Sequence, residues 1–411
     1  MAGVAVFLLV VVLLLAGIHG YLYRRLVHNT AASRRLRRLG LAAAAALALL
    51  LPATLVLGRA LDPATARWIA WPGYVWLALM FYLLVVLLLL ELPLLVVRLV
   101  TRSRPAPAAW GAEAPGAAPA PAAVESPAKT RQQLGRRLVL ARGGALVAGA
   151  VAVGLTGYGM TSALGAPRVT RVTLPLRRLG TGLDGLRVAV VSDIHLGPTL
   201  GRRHTERIVE TINEQSPDLV AVVGDLVDGT VAELGDDAAP LADLVSRHGS
   251  FFVTGNHEYY SGSGPWLVEF ERLGLRPLRN ERVEIRRGGA VLDLAGVNDP
   301  NGVEEGDGPD FDAALDGRDP DRPVVLLAHQ PVQVHEAASR GVDLQLSGHT
   351  HGGQLYPFHY LIRLDQPVVA GLHRFGDTQL YVTNGAGFWG PPVRVGAPPE
   401  IVMVELTSAP P

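Results

Sequence analysis

Four stretches of this chain, residues 1–23, 39–58, 68–90 and 143–167, contain no Asp, Glu, Lys or Arg. Each is close to the ~20 residues a helix needs to cross ~30 Å of hydrocarbon. The third, containing LALMFYLLVVLLLL, is the most lipid-like, with aromatics near its start where interfacial belts form. The fourth is rich in Gly and Ala. Uncharged runs of this length constrain the fold more than any other feature, because helices alone satisfy their own backbone polar groups in lipid.

The connections between them set an orientation. The first loop, RRLVHNTAASRRLRR, holds six arginines. The second, residues 59–67, holds two arginines and one aspartate, and the third, residues 98–142, holds eight Lys/Arg. Basic loops stay cytoplasmic, so loops one and three are expected inside, and loop two outside with everything after the fourth helix. Arg136 and Arg137 precede the fourth stretch. The segment resembles a twin-arginine export signal placed internally, and the same pair serves equally as positive-inside residues. The expected organisation is a three-helix membrane region over 1–100 and a Pro/Ala-rich basic cytoplasmic linker over 101–142. Residues 143–166 then form a fourth transmembrane helix or twin-arginine-like signal, and 167–411 a globular domain. Residues such as PAPAAWGAEAPGAAPAPAAVESPA cannot bury a core and read as disordered linker.

The formal net charge of zero hides two opposite halves. Residues 1–166 carry 16 Lys/Arg against 4 Asp/Glu, and residues 167–411 carry 21 against 33. Ten of the twelve histidines lie in the second half, and cysteine is absent. Disulfides and thiolate metal sites are thereby excluded, so a metal can be held only by N and O ligands. From residue 183 short apolar runs alternate with helical patterns, an α/β texture with buried strands. LRVAVV ends at Ser192-Asp193, DLVAVV at Gly224-Asp225, SFFVTG at Asn256-His257, VVLLAH on His329, and VDLQLSGH on His349. Open α/β sheets place their sites just past the carboxyl ends of strands. One Asp or His after a strand is ordinarily a cap or turn former. Five strand ends delivering Asp, Asn or His, with no Ser or Lys nucleophile, make an inventory for binding metal.

In order, SDIHLG, GDLVDG, TGNHEYY, LLAHQP and SGHTHGGQ resemble the motif set of the calcineurin-like metallophosphoesterases. The resemblance covers residues 183–406. The GHTHGGQ form and the downstream TNGAGFWGPPVRVGAPPEI are similar to the membrane-associated bacterial branch of that family. It implies two mixed sheets packed face to face with helices outside, so that transmembrane helices are followed by a two-sheet metallophosphoesterase sandwich. It further implies two divalent metal ions (Mn, Fe or Zn, given mixed N and O ligands), with Asp225 shared between them. Asp193, His195 and His351 complete one metal site, and Asn256, His329 and His349 the other. Gly348, Gly352 and Gly353 are expected to let the chain turn so that His349 and His351 reach different ions. His257 is the expected catalytic residue, a general acid or charge stabiliser. Asp228 and Glu258 are expected either to orient ligands or to lie on the surface.

The implied reaction is hydrolysis of a phosphomonoester or phosphodiester by attack of a metal-bridging hydroxide, at a cell membrane and outside the cytoplasm. A phospholipid, a lipid-linked or nucleotide sugar, and a small phosphomonoester are the candidate substrates. An acidic domain is poorly suited to long nucleic acid, which needs Lys/Arg to replace counterions. The lipid bilayer is itself an expected partner, and Phe388 with Trp389 in GAGFWGPP are expected to meet the lipid part of a substrate or the interface. The competing reading is a multi-pass transport or signalling protein with a regulatory metal-binding domain. The only acid inside the apolar runs' helices, Glu91, lies near the end of the third and argues against it.

Overall fold

The computed structural model describes residues 2–102 and 127–409. Within the described residues, the core of the expected linker, 103–126, is not covered. Contacts divide the chain into two compact units: Met1–Ala53 with Trp76–Thr156, and Thr54–Val75 with Gly157–Pro411.

Helices α1 (Ala2–Leu22), α2 (Arg34–Ala60), α3 (Pro63–Arg102) and α4 (Pro127–Leu164) carry the four uncharged stretches. Each is long and apolar enough to cross a membrane, over Leu9–His28, Arg34–Ala60, Pro63–Pro93 and Leu138–Leu164. Their outward Leu and Val side chains, such as Leu13, Leu49 and Leu146, are uncovered by protein. Lipid is the solvent in which that exposure costs nothing. The helix α4 begins at Pro127, well inside the segment expected as linker. In the first unit the one acid of the bundle is fully engaged: Tyr21 Oη donates to Glu91 Oε1 at 2.7 Å, and Arg25 Nε lies 2.8 Å from the same oxygen.

The second unit contains twelve strands: β1 (Arg168–Leu176), β2 (Leu186–Val191), β3 (Leu219–Val223), β4 (Ser250–Val253), β5 (Leu275–Pro277), β6 (Glu281–Arg287), β7 (Ala290–Gly296), β8 (Val324–Leu327), β9 (Leu344–Ser347), β10 (Gly371–Phe375), β11 (Thr378–Val382) and β12 (Glu400–Ser408). They form two six-stranded mixed sheets, ordered β1-β12-β2-β3-β4-β5 and β10-β11-β9-β8-β7-β6. Within the parallel runs β2-β3-β4-β5 and β11-β9-β8-β7, the central strands β3 (LVAVV) and β8 (VVLL) are continuously apolar, as strands covered on both faces require.

The side-chain alternation of the strands builds three layers of core. Val188, Val190, Ala221, Val223 and Val253 from the first sheet meet Leu294, Val325, Leu327, Leu344 and Leu346 from the second, so the sheets pack face to face. Their alternate neighbours Val191, Val222 and Phe252 turn outward against Ile208, Ile212, Trp266 and Phe270 of flanking helices. Ala295, Val324 and Leu326 likewise meet Phe311, Ala314 and Ala337. The helix Arg202–Glu214 buries Ile208, Val209 and Ile212 at helical spacing and stops before Pro217. The result is the two-sheet α/β sandwich expected for the domain. It brings the carboxyl ends of β2, β3, β4, β8 and β9 to one edge.

Candidate metal centre

At this edge β2, β3 and β9 break off into tight turns. Asp193 (φ 53°), His195 (φ 53°), Asp225 (φ 58°), His349 (φ 72°) and His351 (φ 52°) all hold left-handed backbone. Residues with a Cβ avoid that region at a cost of about 1–3 kcal/mol each. Five such residues at one edge mean that surrounding structure forces them there, and the effect is to swing their side chains inward. Gly352 (φ 61°) and Gly353 (φ 78°) supply left-handed backbone directly after the second histidine. Gly348 works differently, through space: a Cβ there would sit 2.0 Å from Ser192 Oγ and 2.4 Å from Asp193 Oδ2.

The inward-turned groups converge. Three sets place one donor atom each within 4.8 Å of the others: Asp193, His195 and His351; His195, Asp225 and His257; Asp225, His329 and His349. His195 Nε2 is 3.0 Å from His351 Nε2, which is 3.4 Å from Asp193 Oδ1. His329 Nε2 is 3.1 Å from Asp225 Oδ2 and 3.2 Å from His349 Nδ1. Asn256 Oδ1 lies 3.0 Å from the same His349 nitrogen. Thus all seven expected ligand residues and His257 are gathered at one place. Asp225 belongs to both halves, its Oδ2 also 3.8 Å from His195 Nε2.

The donor set fits divalent ions. Ligand bonds of about 2.0–2.1 Å put neighbouring donors of a tetrahedral or octahedral shell roughly 3.0–3.4 Å apart, the spacing found here. Ring orientation agrees: His329 Nδ1 donates to the Val223 carbonyl at 2.7 Å, which leaves the Nε2 lone pair facing the site.

The surrounding polar groups position these donors. Asp228 accepts from His195 Nδ1 at 3.2 Å and from His257 Nδ1. Burial opposes its ionisation, but the charge and hydrogen bonds of His195 and His257 hold its carboxyl well below the usual range. Burial likewise opposes protonation of His257, yet Asp225 and Asp228 push its pKa up to about 9. The His257 amide donates to Asp225 Oδ1 at 2.9 Å. Glu258 is completely buried and accepts from the backbone amides of Asp225 (2.9 Å), Leu226 (2.7 Å) and Gly255 (2.7 Å). It ties the turn after β3 to the turn after β4. Of the two roles open for these acids, the structure assigns orientation to both and a surface position to neither.

Sequence reasoning missed Arg394. It is buried, and its guanidinium donates to the carbonyls of Gly387 (3.0 Å from Nε), His351 (2.6 Å) and Ala397 (3.4 Å), with Nη2 3.1 Å from His351 Nδ1. A lone Arg in a Pro/Gly-rich loop carries no periodic signal. Its one clue was an unpaired charge between short apolar residues in PPVRVG. The neighbouring aromatics also divide. Phe388 is buried against Ala163 and Leu200, which corrects its expected lipid contact, because a ring sealed in a core cannot meet a substrate. Trp389 stays half-exposed, its ring centroid 5.9 Å from that of His257.

Comparison with known proteins completes the description. Residues 186–353, from the start of β2 to just past His351, match the family model for calcineurin-like phosphoesterase. The chain is 40% identical over 262 residues to a transmembrane protein with metallophosphoesterase domain from Danio rerio, covering 61% of this chain and 60% of that one. It is also 40% identical over 258 residues to an uncharacterized metallophosphoesterase from Helicobacter pylori, covering 61% of this chain and 68% of that one. The chain therefore spans about three fifths of the length of the vertebrate relative. Among solved structures, an NAD nucleotidase from Haemophilus influenzae is 18% identical over 50% of this chain and 51% of its own, with a TM-score of 0.34. The class defined by this fold and site is the metallophosphoesterase domain. This chain belongs to the calcineurin-like metallophosphoesterase family.

Proposed function

We propose that the chain is a membrane-anchored, dinuclear metal-dependent phosphoesterase. The observation that carries this reading is the position of Asp225, one carboxylate common to two donor sets at a single sheet edge. Asp193, His195 and His351 with Asp225 would hold one divalent ion, and Asn256, His329 and His349 with Asp225 the other. Such a pair supplies an activated water and neutralises the phosphate oxygens. The chain's own contribution is geometric. Asp228 fixes the rings of His195 and His257, and Asp225 pins the His257 backbone. With Nδ1 committed to Asp228, the other nitrogen of His257 can hold a proton beside the leaving oxygen.

A proton donor and a ligand fail differently when removed, and that is the test. General acid help is worth about 10²–10⁴-fold and matters most for a poor leaving group. His257→Ala is expected to lose that much on an alkyl phosphate and far less on a nitrophenyl phosphate, with metal content unchanged. Equal losses on both esters would make His257 a phosphate-binding group, and loss of metal would move it into the ligand set.

The catalytic unit is placed outside the cytoplasm in this reading. Two observations support that side: the 6/2/8 distribution of basic residues over the loops, and the inclusion of Thr54–Val75, around the sparsely basic loop, in the same compact unit as Gly157–Pro411. A reporter active only in the cytoplasm, fused at the carboxyl terminus, is expected to be silent. An active reporter would put the domain inside.

A further inference from the structure

We infer that the substrate carries an apolar chain, and that the ends of the second and third membrane helices form part of the site that binds it. The inference rests on the phosphoesterase reading and names its substrate class. Within the second unit, a cavity of about 290 Å³ is lined by Asp228 and His257 together with Leu55, Ala70, Tyr74 and Trp389. The first pair belongs to the hydrolytic centre. Leu55, Ala70 and Tyr74 belong to α2 and α3, inside stretches apolar and long enough to cross a membrane. A path joins the two. The Trp389 ring stands 5.9 Å from that of His257. A Cβ at its neighbour Gly390 would lie 3.6 Å from Tyr74 Cε1, so the ring of Tyr74 stands beside this loop.

The chemistry of the lining selects the ligand. The lining is mixed: Arg59, Thr230, Asp228 and His257 offer polar partners to a phosphoester headgroup, while Leu55, Leu61, Ala70 and the ring of Tyr74 offer carbon to an apolar chain. The size agrees as well. Small-molecule sites run from ~300 to 1,000 Å³, so this cavity holds a headgroup and the first part of a chain. The remainder would continue along α2 and α3, whose exposed residues, such as Leu55 and Val56, are apolar. The two helices thereby act as specificity elements as well as an anchor.

The experiment uses the full chain in nanodiscs with added Mn²⁺. A series of nitrophenyl alkyl phosphates of rising chain length measures the slope of log kcat/KM against methylene number. Apolar burial predicts up to about four-fold per methylene until the cavity is filled. Leu55→Ser with Tyr74→Ser is expected to flatten that slope to less than half. Leu55→Ser alone, at an exposed position, is the milder variant that gives a partial effect should the double variant misfold. A second readout needs no turnover. A diazirine-bearing alkyl phosphonate should photolabel residues 54–75 together with Trp389 and Gly390, and excess short-chain phosphonate should suppress the label. A flat slope in the unaltered protein, or labelling spread over all four helices without competition, overturns the inference. If no ester of any chain length is hydrolysed, the phosphoesterase reading itself fails.

Discussion

Asp225→Asn is expected to abolish hydrolysis while leaving the fold intact. Asn keeps the side-chain shape and can still accept from the His257 amide, now 2.9 Å from Asp225 Oδ1. It loses the charge that two neighbouring donor sets share. Bound ions supply several kcal/mol of charge stabilisation in such reactions, and each 1.36 kcal/mol is tenfold in rate. A fall in kcat of at least about three orders of magnitude follows. Elemental analysis should show fewer than two ions per chain, and the melting temperature of the metal-free protein should hold or rise once a buried charge is gone. Full activity with two ions bound would remove Asp225 from the centre of the assignment.

Glu258→Gln should produce the opposite pattern, a loss that begins in the fold. Both Glu258 oxygens accept backbone N–H groups, two of them at Oε2 and one at Oε1. An amide must turn an NH₂ toward at least one of those donors, leaving a buried amide unpaired at about 1–3 kcal/mol, more for charged partners. Denaturant unfolding should show a destabilisation of about 2–4 kcal/mol on this basis. Because the same bonds place Asp225, metal affinity should also fall by about 10–100-fold. Unchanged stability would mean that the turns after β3 and β4 hold themselves.

Glu258 marks where the sequence stopped being informative. The candidate site was legible because its donors lie within a few residues of runs such as LVAVV or VVLL, and a buried parallel strand announces itself by composition. The roles of Asp228 and Glu258 depend on which turns approach one another, and a linear pattern does not encode that. The strands β6, ERVEIRR, and β10, GLHRF, are mostly exposed and too polar to stand out from loop. Phe388 and Trp389 are adjacent in sequence and opposite in environment, a distinction made only by the packing of Ala163 and Leu200. The left-handed backbone at five ligand positions was invisible too, since Asp and His at a strand end do not declare their φ.

The order of the first sheet has a consequence for how the protein is made. The strand β12 lies between β1, with which it runs parallel from Arg168↔Glu400 to Leu176↔Ser408, and β2, which it meets in antiparallel register. Residues synthesised more than two hundred positions after β1 are thus needed to close the sheet's interior. Until residue 408 has left the ribosome, β1 and β2 have no partner between them, and Val402, Val404 and Leu406 are missing from the core shared by both sheets. Long-range pairing of this kind is slow and leaves strand edges open during synthesis. The first sheet is therefore expected to stay open while the chain emerges, until its carboxyl-terminal strand is available. Hydrolytic competence then arrives in one late step.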